Sequence, residues 1–364
     1  MGGESRSRQS NFELMRIVAM LMIIACHFVS NIYPIKNHVA VNDVFIALYF
    51  PGGQVGVALF FLLNGFFGAQ SPLRPRKIVK IVGELFFYAW LSLIVYAVAT
   101  HFKLYDFPRL SKAELNECLV DALIPYSSGT WWFITAYIPL QLVKKPINAG
   151  LSKLTRGGFL ILLFALWFFW YSIANGYKGI LSYFTFEKAL FFYATGFFIQ
   201  KEIEPSGSLF FSKPASLFLG LLSYLGASAL QILYTSNVHL PFPKIFLYAA
   251  QGSVCVTLAS FFLFIFFSRL HLPEKRAINA IATTTLGVYI FHRSNIMAHL
   301  FFRKVFDGTA MYEKAHFPLW LTLGIISIFA ICAAVDALRA KTLEGAFMRI
   351  SAKCIEKAKS AFIK

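Results

Sequence analysis

Two ionisable side chains stand inside one apolar run. The run from Leu14 to Tyr33 is long enough to cross a bilayer, and it holds Arg16 and His27. They lie eleven positions apart. At about 100° per residue, eleven steps fall within roughly 20° of three full turns. The spacing therefore predicts that both share one face of one helix, about 16 Å apart along its axis. An ionisable pair in lipid is expensive, and the default reading is a buried functional site. A neutral imidazole at His27 takes a proton from a hydroxyl and returns it. The guanidinium at Arg16 holds a phosphate or a carboxylate. The bland alternative is a histidine bonded within the bundle and an arginine reaching for the headgroups. That alternative does not require a shared face. Glu13 stands three residues before Arg16, close enough to pair with it on the same face. It also suits a helix start capped by Asn11 or Ser10.

A second buried histidine, His292, ends the stretch Leu286-Gly287-Val288-Tyr289-Ile290-Phe291-His292. It lies about as far along its own run as His27 does along the first, so the two could face one cavity. The catalytic candidates are thus His27, Glu13 and His292. Cavity or substrate candidates are Asn64, Glu187, Trp131 and Trp132. Asn64 is a buried amide in the glycine-rich segment Gly52–Phe67, whose Gly52, Gly53, Gly56 and Gly65 allow close helix approach or a broken helix. Glu187 and Lys188 sit together within another apolar run. Trp131 and Trp132 open a run where sugar rings would stack, or where an interfacial belt would sit. Arg74 and Arg76, with Lys77 and Lys80, form a basic cluster suited to the phosphates of an anionic cytosolic cofactor, or to a topology signal. A P-loop and a GxGxxG fingerprint are both missing, which argues against nucleotide hydrolysis. The five cysteines show no paired spacing, so neither a metal site nor a disulfide framework is indicated.

The elements that must position these residues are membrane spans. The chain has 364 residues, is 58% hydrophobic and only 14% charged, with a mean hydropathy of +0.63. Ten apolar runs are predicted, near 13–34, 46–69, 81–101, 130–144, 157–174, 180–200, 215–235, 245–268, 280–302 and 317–338. The fold expected is an all-α bundle of about ten transmembrane helices. A net charge of +17 raises the question of nucleic acid, but its distribution answers it. With both termini in the cytoplasm, 22 of the 34 Lys and Arg fall in inside segments and 9 in outside loops. That is the positive-inside bias of a membrane protein. The expected organisation is a flexible N-terminus over 1–12, a transmembrane domain over 13–338, and a basic tail over 339–364. In the tail Leu343, Phe347, Ile350 and Cys354 recur at helical steps, as in an amphipathic helix on an anionic leaflet.

At this point the first run resembles a known family. Glu13-Leu14-Met15-Arg16-Ile17-Val18-Ala19-Met20, with ten residues between Arg16 and His27, looks like the opening of the acyltransferase 3 family. Val57-Ala58-Leu59-Phe60-Phe61-Leu62-Leu63-Asn64-Gly65-Phe66, the basic stretch after it, and Tyr289-Ile290-Phe291-His292 are similar in kind and order. The resemblance covers about Asn11 to Leu338. It implies a bacterial inner-membrane, multi-pass O-acetyltransferase that moves an acetyl group from acetyl-CoA to a hydroxyl of a cell-surface polysaccharide or lipopolysaccharide. It implies no metal. Partners would be a glycan or lipid-linked glycan acceptor, the lipid bilayer and polysaccharide-synthesis machinery. By position His27 matches the family's catalytic histidine and Arg16 the arginine given to the acyl donor. One departure stands out: the family's usual Ser-Gly-Phe reads Asn64-Gly65-Phe66 here. The rival reading is a transporter or flippase of a lipid-linked glycan. It would use the same buried charges without chemistry, and repeats or paired discontinuous helices would favour it.

Overall fold

The structure is a computed structural model. It describes residues 9–32, 39–68, 74–103, 110–126, 129–176, 185–235 and 253–362. Among these residues the chain is helical throughout, with no strand. Five helices are long and apolar enough to cross a bilayer: Ser10–Ser30, Ala40–Gly68, Pro75–His101, Lys213–Leu233 and Phe317–Glu356. Arg156–Phe169 and Val254–Ser268 are shorter apolar helices. The chain is a multi-pass membrane protein. Parts of the expected runs at 180–200 and 245–268 lie outside the described residues.

Helix α1 spans Ser10–Ser30. Helix α2, Ala40–Tyr49, is parted by Pro51 from α3, Gly52–Gly68. Proline cannot donate into the helix before it, so the break falls where the sequence signalled it. Helix α4, Pro75–His101, starts with a proline in its first turn, where the missing N–H has no intrahelical partner anyway. Helix α5, Lys112–Leu123, opens with a capping box between Ser111 and Glu114. A single 3-10 turn, Gly129–Trp131, leads into α6, Trp132–Lys153. Helix α7 is Arg156–Gly176, α8 is Thr185–Phe198, α9 is Lys213–Thr235 and α10 is Val254–Ser268.

The expected continuous run over 280–302 is instead three short pieces. They are α11, Arg276–Ala282; α12, Thr285–Arg293; and α13, Asn295–Leu300. Residues Thr283 and Thr284 divide the first two, and both hydroxyls bond back to the preceding turn. Ser294 divides α12 from α13, and its side chain caps α13 by accepting from the Met297 N–H. Apolar periodicity reads straight through such breaks, because serine and threonine are small enough to sit in a buried run. A four-residue helix α14, Gly308–Met311, precedes α15, Phe317–Arg339. A wide turn over Ala340–Glu344 then carries the chain into α16, Gly345–Phe362. The tail stripe shows Leu343, Phe347 and Ile350 exposed.

Helix α1 is the centre of the bundle, packed against α3, α10, α11, α12 and α15. Helix α3 crosses α8 at close range, glycine against backbone. A Cβ on Gly65 would collide with the Tyr193 carbonyl oxygen, and one on Gly196 with that of Leu62. Only glycine permits this crossing, which is the small-residue packing that membrane helices rely on.

One ion-pair network ties α4 to α15. Asp336 accepts from the Tyr88 hydroxyl at 2.7 Å and from Arg339 Nε at 2.8 Å. The same guanidinium reaches Glu84 at 3.0 Å and Glu344 at 3.3 Å. Lys80 joins Glu344 at 2.7 Å. Glu84, Asp336 and Arg339 are all buried.

Candidate functional site

The break after α12 sets up the site. Ser294 N–H donates to Phe291 O, which leaves the Ile290 carbonyl without its usual helical partner. The Trp131 indole takes that place, donating to Ile290 O at 2.9 Å from a ring only 1% exposed. The end of α12 is thereby fixed, and with it His292, which is wholly buried. Beside it, Ser92 on α4 bonds to Ser294 at 2.8 Å, and Tyr88 packs its ring on Phe291.

His292 Nδ1 lies 2.6 Å from the Val288 carbonyl, and His27 Nδ1 lies 3.0 Å from His292 Nε2. A carbonyl can only accept, so His292 Nδ1 carries a hydrogen. In a neutral imidazole the other nitrogen then holds a lone pair, so His292 Nε2 accepts from His27 Nδ1–H. It follows that His27 Nε2 presents a lone pair. This tautomer assignment comes from the hydrogen-bond network itself. His27 is half-buried where His292 is sealed. Arg293, next along α12, acts electrostatically on both rings.

Glu13 stands at the other end of α1 and meets Arg16, not His27. Arg16 NH1 lies 3.0 Å and 3.3 Å from its two carboxylate oxygens. Fourteen residues from Glu13 to His27 amount to about 21 Å of helix. The carboxylate of Glu13 holds the guanidinium of Arg16, the pairing expected from their three-residue spacing. Glu13 is buried and Arg16 is partly exposed, so the pair leaves arginine donors to spare.

Asn64 sits on α3 and accepts from Gln141 of α6 at 3.0 Å, while its own Nδ2 is buried without a hydrogen-bond partner among the described residues. Arg74 and Arg76 are exposed at the start of α4. Arg74 and Lys77 bring their charge close to Lys144 of α6. Trp131, expected in an interfacial belt or as a stacking surface, is a buried strut whose ring faces no solvent. Trp132 is partly exposed and holds Lys188 over its ring at 4.8 Å. Gln54 of α3 also accepts from Lys188. Glu187 keeps one carboxylate oxygen buried without a hydrogen-bond partner among the described residues. A cavity of about 340 Å3 opens elsewhere, lined by Gln9, Phe12 and Glu204 among others.

Three features escaped the sequence reading. Gln54 and Gln141 carry no pattern that marks them. Glu84 and Asp336, two carboxylates just inside apolar runs, were the available signal for the ion network. Trp131 was seen, but its partner is a backbone carbonyl that no side-chain pattern reveals. Trp131→Phe removes the indole donor to Ile290 O. The expected cost is about 1–3 kcal/mol, read as a lower thermal unfolding midpoint in detergent. An unchanged midpoint would contradict the strut.

The fold and site define a helical membrane protein with a hydrogen-bonded histidine pair in its bundle. A family model described as an acyltransferase domain matches residues 9–337, and the chain belongs to this acyltransferase 3 family. No curated protein and no solved structure matches the chain. Family membership makes the chain an acyltransferase.

Proposed function

We propose that the protein transfers an acetyl group from cytosolic acetyl-CoA to a hydroxyl of a cell-surface glycan, within the bacterial inner membrane. The observation that carries this reading is the hydrogen bond of His27 to His292, which leaves His27 Nε2 unprotonated. A base of that kind serves a hydroxyl acceptor, and a thioester is already activated, so no metal enters the step.

In this reading Arg16, held by Glu13, and Arg74 and Arg76 bind the phosphates of the donor. They stand at the end of the bundle taken as cytoplasmic, and the pantetheine arm extends from them toward His27. His27 Nε2 removes the acceptor proton as the hydroxyl oxygen attacks the thioester carbonyl. The imidazolium then returns the proton to the departing thiolate. Trp132 and Glu187 border the acceptor side, and Asn64 keeps a donor N–H where the family's serine has a hydroxyl.

The test is acceptor-dependent CoA release by purified protein in detergent, with acetyl-CoA and a crude surface glycan. Release that requires the glycan supports the reading. Glycan transport across a reconstituted bilayer with no release would overturn it in favour of a flippase, a class to which the second broken run over 280–302 lends its one observation. Arg16→Ala is expected to raise KM for acetyl-CoA about tenfold or more, the worth of a charged hydrogen bond, with little change in kcat. An unchanged KM would remove Arg16 from the donor site.

A further inference from the structure

Tyr289 occupies the same face of α12 as His292, one turn earlier, with its ring centroid 6.3 Å from the imidazole. It is 4% exposed, yet its hydroxyl donates to no acceptor among the described residues. A buried tyrosine ordinarily finds one, because an unpaired hydroxyl away from water is costly. The hydroxyl lies toward the backbone N–H of Phe133. Phe133 is in the first turn of α6, a helix of 22 residues with no side-chain cap. That helix start carries the positive end of the backbone dipole. An orphan hydroxyl and an uncapped helix start thus converge beside the histidine pair.

The aromatic rings around Tyr289 run on toward the basic cluster. Phe133 packs edge-on to Tyr289 at 5.7 Å, and Tyr137 stacks on Phe133 at 6.1 Å. Lys77 lies over the Tyr137 ring at 5.6 Å. These contacts form one continuous wall from a cation at the start of α4 to His292. A chain-like donor whose phosphates sit at the cationic end would lay its reactive end against Tyr289.

We infer that the Tyr289 hydroxyl, at the start of α6, is the hydrogen-bond donor to the carbonyl oxygen of the acyl donor as that oxygen becomes negative. The inference rests on the acyl-transfer reading above. The acceptor oxygen forms a bond to the carbonyl carbon while His27 Nε2 takes its proton. The carbonyl π pair moves onto its oxygen, which accepts from Tyr289 O–H. The pair then returns, the carbon–sulfur bond breaks, and the thiolate takes the proton from His27. The products are the ester and the free thiol. Tyr289 keeps its proton throughout and acts by charge stabilisation.

The experiment is Tyr289→Phe, assayed by acceptor-dependent CoA release from acetyl-CoA with the full-length protein. Losing an oxyanion donor is expected to lower kcat about 10²–10³-fold. KM for acetyl-CoA and the thermal unfolding midpoint should stay near wild type. A purely structural tyrosine predicts the opposite, because removing a hydroxyl that bonds to nothing leaves packing intact and kcat unchanged. Wild-type kcat in Tyr289→Phe, with active wild type beside it, overturns this inference and leaves the acyl-transfer reading standing. Raised KM at unchanged kcat also overturns it, since the hydroxyl would then serve binding alone. An inactive wild type removes both.

Discussion

Replacing His27 by alanine is expected to lower acceptor-dependent CoA release about 10²–10⁴-fold, the usual contribution of a positioned general base. The effect follows from the hydrogen-bond order rather than from histidine chemistry in general. Val288 O fixes the hydrogen on His292 Nδ1, His292 Nε2 fixes the hydrogen on His27 Nδ1, and the lone pair on His27 Nε2 is what remains. Removing the ring deletes that lone pair. His292→Ala should cost less, because His27 keeps its chemistry and loses only its orientation. That ordering is the diagnostic part. Initial rates of CoA release for both variants, with folding checked by thermal unfolding, measure it. A His292→Ala loss larger than that of His27→Ala would reverse the roles assigned to the two rings.

The largest effect on stability is expected from Arg339→Leu. The substitution keeps an apolar body but strands Glu84 and Asp336, both buried, without the guanidinium that bridges them. Breaking a buried ion pair from one side costs about 3–5 kcal/mol, mostly as uncompensated charge. Lys80 lies 3.7 Å from Glu84 and can recover part of the loss there, but Asp336 keeps only the Tyr88 hydroxyl. Replacing all three charges by apolar residues at once should be far milder, since the penalty lies in the mismatch. Thermal unfolding midpoints of the single and triple variants in one detergent test this. A single variant as stable as wild type would show that the network does not hold α4 to α15.

Much of the site was legible because it obeys helix periodicity. Arg16 and His27 share a face by arithmetic alone, and His292 was marked as a buried histidine at matching depth. Periodicity does not say which helices touch, so the 3.0 Å bond between the rings was beyond it. The pairing of Glu13 with Arg16 follows from the same arithmetic. Trp131 shows the limit most clearly. Two adjacent tryptophans at a helix start read as a belt, whereas one is a strut for a carbonyl freed by a break at Ser294. The break itself was hidden, because serine and threonine do not interrupt an apolar run as Pro51 does. The overall character was legible for a simpler reason: 14% charge in 364 residues admits little besides a membrane protein.

The most direct measurement follows an isotopic acetyl label from acetyl-CoA in single turnover, in wild type and in His27→Ala. The account predicts label on the glycan in wild type, no label held by the protein, and transfer and CoA release slowed about 10²–10⁴-fold in His27→Ala. Label transferred at the wild-type rate by His27→Ala would contradict it.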